Sequence, residues 1–183
     1  MPQSTVTTSY STAFVGMEPD TMRVGDNYIT RVSGEATNQI AFGTCVKEGA
    51  TKGVQCLALS GQASTVLAGV VPYAAAYQIS NELGNVADAN GNLGLKPLVD
   101  ISIKRRGRLW VQIEEDVSAG DAVKVRTNAA GSGVGPGSFR KSAIGGNTID
   151  VSKFCKWVGV NLAANGYGLL EFDFTMSANA TND

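Results

Sequence analysis

The sequence predicts an all-β fold: an antiparallel jelly-roll-like sandwich or barrel with an extended N-terminal arm and at most one short helix. Three observations carry this. Short runs alternate apolar and polar residues with a period of two, the signature of a half-buried strand. Turn-forming residues separate the runs, with 22 glycines among 183 residues. Helical periodicity is nearly absent.

The opening, Met1-Pro-Gln-Ser-Thr-Val-Thr-Thr-Ser-Tyr-Ser-Thr, is uncharged, rich in hydroxyl groups and without apolar periodicity until Ala13-Phe14-Val15. Residues 1–24 therefore read as an arm, extended or frayed, with Tyr10, Phe14 and Met17 as apolar anchors. Residues 25–177 form a single β domain, and 178–183 a flexible tail.

Four segments alternate most clearly. In Val99 to Lys104, Val99, Ile101 and Ile103 oppose Asp100, Ser102 and Lys104. In Arg108 to Glu114, Leu109, Val111 and Ile113 share one face, which puts Trp110 on the other. Ala122 to Arg126 and Leu169 to Phe174 repeat the pattern. Tyr28 to Val32, Ile40 to Val46, Val54 to Leu59, Leu67 to Val71 and Trp157 to Leu162 are further strands in which glycine or alanine blurs the alternation. Some nine to eleven strands, about the number a sandwich or barrel needs, follow from this spacing.

Turns fall at Ala89-Asn90-Gly91-Asn92, Arg106-Gly107, Ala119-Gly120-Asp121 and Asn165-Gly166, where a positive φ is cheap. Tyr73 to Leu83, after Pro72, is a short helix or an irregular crossing. Residues 129–137, Ala-Ala-Gly-Ser-Gly-Val-Gly-Pro-Gly, form a glycine-rich loop.

Composition narrows the function. Charged residues make up 17% of the chain, below the soluble-domain value of about 25%. Histidine is absent, which removes the commonest acid/base and metal-binding side chain. With 15 basic and 16 acidic residues there is no long-range attraction to nucleic acid or to a membrane surface. Cys45, Cys56 and Cys155 are odd in number and sit in apolar runs, so they read as buried free thiols, in keeping with a reducing cytoplasm. Neither a secretory signal nor a 20-residue apolar span is expected.

The chemical motifs fail in turn. The loop at 131–137 has the glycines of a phosphate cradle but neither a following Lys-Ser/Thr nor a helix. Glu114-Glu115-Asp116 is the densest acidic group, yet neighbours at a strand end point apart, and a solvated turn is the simpler reading. The expectation is no enzyme, no cofactor and no metal.

Two anomalies suggest partner contacts. Lys104, Arg105, Arg106 and Arg108 cluster around Gly107. This is either a hairpin tip in water or a site for an acidic protein patch, since arginine pairs directionally with carboxylates. Trp110, on the polar face, is either covered by a second sheet or an interface anchor.

The run Leu67-Ala-Gly-Val-Val-Pro-Tyr73, then Gly107-Arg-Leu-Trp-Val-Gln-Ile113 with Val117-Ser-Ala-Gly-Asp-Ala-Val-Lys-Val125, then Trp157-Val-Gly-Val-Asn-Leu162 with Gly168-Leu-Leu-Glu-Phe172, resembles the capsid cement and head-decoration proteins of tailed bacteriophages. The resemblance covers most of residues 25–175. It implies a virion protein on the outer capsid surface, made in the bacterial host cytoplasm. It also implies binding to the major capsid protein as a homo-oligomer, a trimer or alternatively a dimer, with no catalytic residues. The competing reading is a receptor- or carbohydrate-binding β-sandwich of a fibre or adhesin.

Overall fold

The computed structural model describes residues 13–19, 25–36, 40–59, 66–73, 85–87, 93–128, 135–163 and 166–175. Among them there are fifteen strands and no α-helix. In chain order they begin with β1 (Asn27–Ser33), β2 (Ile40–Ala41), β3 (Cys45–Glu48), β4 (Gln55–Ala58), β5 (Leu67–Val70), β6 (Asn85–Ala87) and β7 (Leu93–Leu95). The long β8 (Asp100–Gln112) follows, then β9 (Val117–Ser118), β10 (Lys124–Arg126), β11 (Phe139–Arg140) and β12 (Thr148–Asp150). The last are β13 (Cys155–Trp157), β14 (Val160–Asn161) and β15 (Tyr167–Asp173). The crossing expected at Tyr73–Leu83 lies, apart from Tyr73, outside the described residues, as do 129–134 of the glycine-rich loop and the tail from 176.

Five strands close a ring in the order β1-β4-β3-β5-β8, with β8 returning to β1. Of the architectures the sequence left open, the chain forms the barrel. Four of the ring's pairings are antiparallel, but β1 and β4 run parallel. This departs from the antiparallel expectation for a topological reason: strands that alternate in direction cannot close a ring with an odd number of members. The interior is filled by Val46, Cys56, Ala68, Ile101 and Ile103, with Ile29 packed against them, so every strand of the ring contributes.

A second core lies beyond the ring. β8 outruns the barrel, and its far half carries β15 and then β13 as further strands of the same sheet. Leu109, Val111 and Ile113 pack there with Leu170, Phe172 and Phe174, under a three-stranded sheet in the order β11-β10-β12 that supplies Val125, Phe139 and Ile149. β5 stands between the cores, with Leu67 and Val70 in one and Ala68 in the other. A strand buried on both faces has no reason to alternate, which is why its sequence pattern is blurred.

Two expectations about β8 need correction. The segments 99–104 and 108–114 are one strand, not two joined at Arg106-Gly107. Gly107 does have a positive φ of 129°, but it is not in a turn. A Cβ there would collide with the Asp26 carboxylate and the stem of Lys104, so the glycine serves a close approach. At the same place the register with β1 slips, from Tyr28 opposite Lys104 to Asn27 opposite Arg106, a local bulge at Arg105. Conversely, Ile40–Val46 and Trp157–Leu162 each divide, into β2 with β3 and β13 with β14.

A candidate interaction surface along the long strand

The expected basic cluster separates into buried and outward members. Lys104 is 1% exposed. Its Nζ lies 3.0 Å from Asp26 and 3.5 Å from Glu18, and 5.1 Å from the centre of the Tyr28 ring. The Tyr28 hydroxyl donates to Glu18. Burial, then this hydrogen bond and the Glu18 and Asp26 charges, push that phenol well above its ordinary pKa. Arg105 is also occupied internally, donating from Nη2 to the Phe174 carbonyl at 2.8 Å. Neither residue is at a hairpin tip.

Arg106 and Arg108 do face outward, within a ladder that crosses three strands. The register sets Arg106 opposite Asp173, and Arg108 opposite Glu171, which in turn faces Lys156 on β13. Glu171 accepts from Arg108 Nε at 2.7 Å and pairs with Lys156 at 2.8 Å, while Arg106 lies 3.4 Å from Asp173. The Lys156 hydrogen bond, and less strongly that of Arg108, outweigh partial burial and hold the Glu171 carboxyl below its usual range. Asp173 is lowered too, first by its hydrogen bond with Thr175. Beside the ladder lies a groove of about 530 Å³ between Gly25-Asp26, Arg106–Arg108, Ser152–Lys156 and Glu171–Asp173. Lys153 and Lys156 were missed by sequence reading: they are far from the basic run in the chain, and only the pairing of β13 with β15 brings them beside it.

The apolar candidates meet at the next rungs. Trp110 is half-buried and set edge-on to Tyr167, with ring centres 5.6 Å apart. Its backbone carbonyl accepts from Gly16 N at 2.6 Å, and its N–H donates to Met17 O at 2.9 Å. The segment from Ala13 to Met17 is thus laid against the body, helped by a Tyr73 N–H bond to Gly16 O at 2.7 Å. Phe14 packs edge-on to Tyr73 at 4.8 Å and remains 44% exposed. Gly43 lies underneath, where a Cβ would run into Val15. Tyr10 lies outside the described residues.

On β14, Val160 is 75% and the adjacent Leu162 50% exposed, with Asn161 buried between them. The alternation of Trp157–Leu162 was the available signal for that apolar pair, and it was read only as a strand.

The acidic run, expected as a solvated turn, is solvated only in part: Asp116 is exposed, Glu115 half-buried and the Glu114 side chain nearly buried. Glu114 accepts from Arg126 Nε at 2.6 Å and from Arg140 at 2.7 Å, and its side chain is 7% exposed. Glu115 takes the backbone N–H groups of Lys141 and Ser142, and Asp116 that of Ala163. Burial opposes ionisation of Glu115, but the Ser142 and Lys141 bonds together overcome it and lower its pKa. Glu114 and Glu115 share Arg140 while Asp116 holds a separate turn, and no described group of three or more His, Cys, Asp or Glu could hold a metal. The three cysteines are buried free thiols; burial pushes Cys45 up to about 12 and Cys56 to about 11.

Comparison with solved structures finds a chain of "The capsid of Myoviridae Phage XM1", with a TM-score of 0.64 over 93% of this chain and 96% of that one. At 14% identity the likeness speaks for the fold alone. No curated protein sequence matches. The family profile described as structural cement protein (E217 gp24/Pam3 gp6) matches residues 1–174, nearly the whole chain, and this protein belongs to that phage cement family.

Proposed function

We propose that this protein binds the outer surface of a tailed-phage capsid, contacts the major capsid protein, and cements neighbouring capsomers without catalysis or a cofactor. The observation that carries the reading is the family match over residues 1–174. The architecture supports it: a closed barrel leaves few strand edges to pair at random, and the second core stiffens the far half of β8. Net charge of −1 suits a protein that must stay soluble yet dock by shape and local pairing.

The protein acts as a homotrimer, with a dimer as the alternative, because several contacts per assembly raise apparent affinity by about 10² to 10⁴. It is made in the host cytoplasm, where its thiols stay reduced. Phe14, Met17 and Trp110 supply apolar contacts and Arg106 and Arg108 polar ones; Tyr10, outside the described residues, is assigned to the apolar set from the sequence alone.

The test is reconstitution. Purified protein added to shells lacking it should co-sediment with them and raise their resistance to heat or chelator. Light scattering of the free protein reports its oligomeric state. Shells that are equally robust with and without the protein, or protein that stays in the supernatant, would overturn the reading.

A further inference from the structure

Resting on that reading, we infer that the groove between Arg106–Arg108 and Ser152–Lys156 is the seat of an acidic protein segment presented by the shell. Four cations line it, Arg106, Arg108, Lys153 and Lys156, against the carboxylates of Asp26, Glu171 and Asp173. Asp26 is already committed to the buried Lys104 at 3.0 Å, which leaves four cations facing two carboxylates. The two most exposed groups of the ladder are cations. Arg106 and Lys156 side chains are 56% and 69% exposed, against 42% for Asp173 and 31% for both Arg108 and Glu171. Incoming carboxylates therefore meet donors before acceptors.

The groove is shaped for a chain segment. Its volume of about 530 Å³ is that of a few side chains, and Phe154 and Phe172 give it an apolar floor beside the charges. The interleaving of Glu171 and Asp173 with the cations selects among anions. A polyphosphate backbone has a charge at every step and would meet those carboxylates head-on. A protein segment can place Asp or Glu opposite Arg106 and Lys156 and a neutral or basic residue opposite Asp173. Nucleic acid is the disfavoured occupant for the same reason.

The experiment compares wild type, Arg106→Glu with Lys156→Glu, Lys153→Glu with Lys156→Glu, and Lys52→Glu as a control on an exposed residue outside the groove. Binding to shells lacking the protein is read by co-sedimentation at low and moderate salt, and folding by circular dichroism. Either groove pair should weaken binding by about tenfold or more and flatten its salt dependence, with Lys52→Glu near wild type. Two separate pairs leading to the same loss keep the outcome interpretable if one of them does not fold. Polyglutamate should compete with shells for the wild-type protein better than a DNA duplex of equal charge.

Wild-type binding with undiminished binding of both groove pairs overturns the groove and leaves the cement function standing. Wild-type protein that binds no shells overturns the function itself and the groove with it. Better competition by DNA than by polyglutamate overturns the assignment to a protein segment.

Discussion

Lys104 and Arg106 stand two residues apart on one strand and carry the same charge, yet they belong to different parts of the molecule. Lys104 is sealed between Asp26, Glu18 and the Tyr28 ring. Arg106 lies on the open ladder, 3.4 Å from an Asp173 that is itself 42% exposed. The difference comes from what β8 meets on either side of the bulge: Lys104 is paired within the ring, with Tyr28 and Val70, whereas Arg106 is paired with Asn27 at the end of β1 and with Asp173 on β15. Adjacent charges make a surface patch only if their neighbours across the sheet leave them in water. A buried cation is fixed by its partners and costs much to disturb, whereas an exposed one is cheap to change and free to serve a partner.

The largest expected effect breaks the buried side of that contrast. Lys104→Met keeps much of the volume but removes the cation shared by Asp26 and Glu18, and should lower unfolding free energy by about 3 kcal/mol. Urea denaturation measures it; a loss under about 1 kcal/mol would mean that water reaches the carboxylates and the cluster is not closed.

Next comes Glu114→Gln, which leaves Arg126 and Arg140 sharing a neutral amide. A destabilisation of about 2 kcal/mol is expected in the same assay. It should be accompanied by faster amide exchange in β10 and β11, the strands that Arg126 and Arg140 occupy.

Acid probes the open ladder, together with the contacts made by Glu115 and Asp150. The folded-state pKa values of Glu115, Asp150, Glu171 and Asp173 are all depressed. Their contribution is therefore fully present above the unfolded carboxylate values of about 4, and is lost as pH falls through the lower folded ones. Thermal melts should be flat from pH 7 to about 5 and decline below about 4. A decline that begins near pH 6 would contradict this, since no histidine is present to titrate there.

The smallest effect is Arg106→Gln, expected to shift stability by no more than about 0.5 kcal/mol. A much larger loss would erase the distinction between the two residues.

The alternation in 99–104 and 108–114 disclosed both faces of β8, and even that Trp110 opposes Leu109 and Val111. What it could not disclose was the continuity through Gly107. A glycine next to arginines reads as a turn because local conformation is all a sequence window contains, whereas the cause of this glycine is a carboxylate at Asp26, 81 residues away in the chain. The same limit hid the second half of the candidate surface. Lys156 sits between the buried Cys155 and Trp157, which marks it as outward, but nothing local says that it shares Glu171 with Arg108. Glu114 was misread as solvated because its two arginine partners enter from strands that are not its neighbours in sequence. The barrel was legible in class, and its one parallel pairing was not, because closure is a property of the whole ring.

That closure also sets how the molecule bears force. β5 and β8 meet over one register pair, Val70 with Lys104, and β1 and β4 over two, Val32 with Gln55 and Ser33 with Cys56, whereas β1 and β8 meet over six. These two short joints are the lines along which the ring would open under tension. A pull on the chain ahead of Ala13 does not reach the parallel joint directly: the load enters at Gly16 and Met17 and passes through Trp110 into β8, the strand bonded to β1, β5 and β15 at once. The tether is thereby anchored to the longest strand, which spreads the load over three neighbours at once.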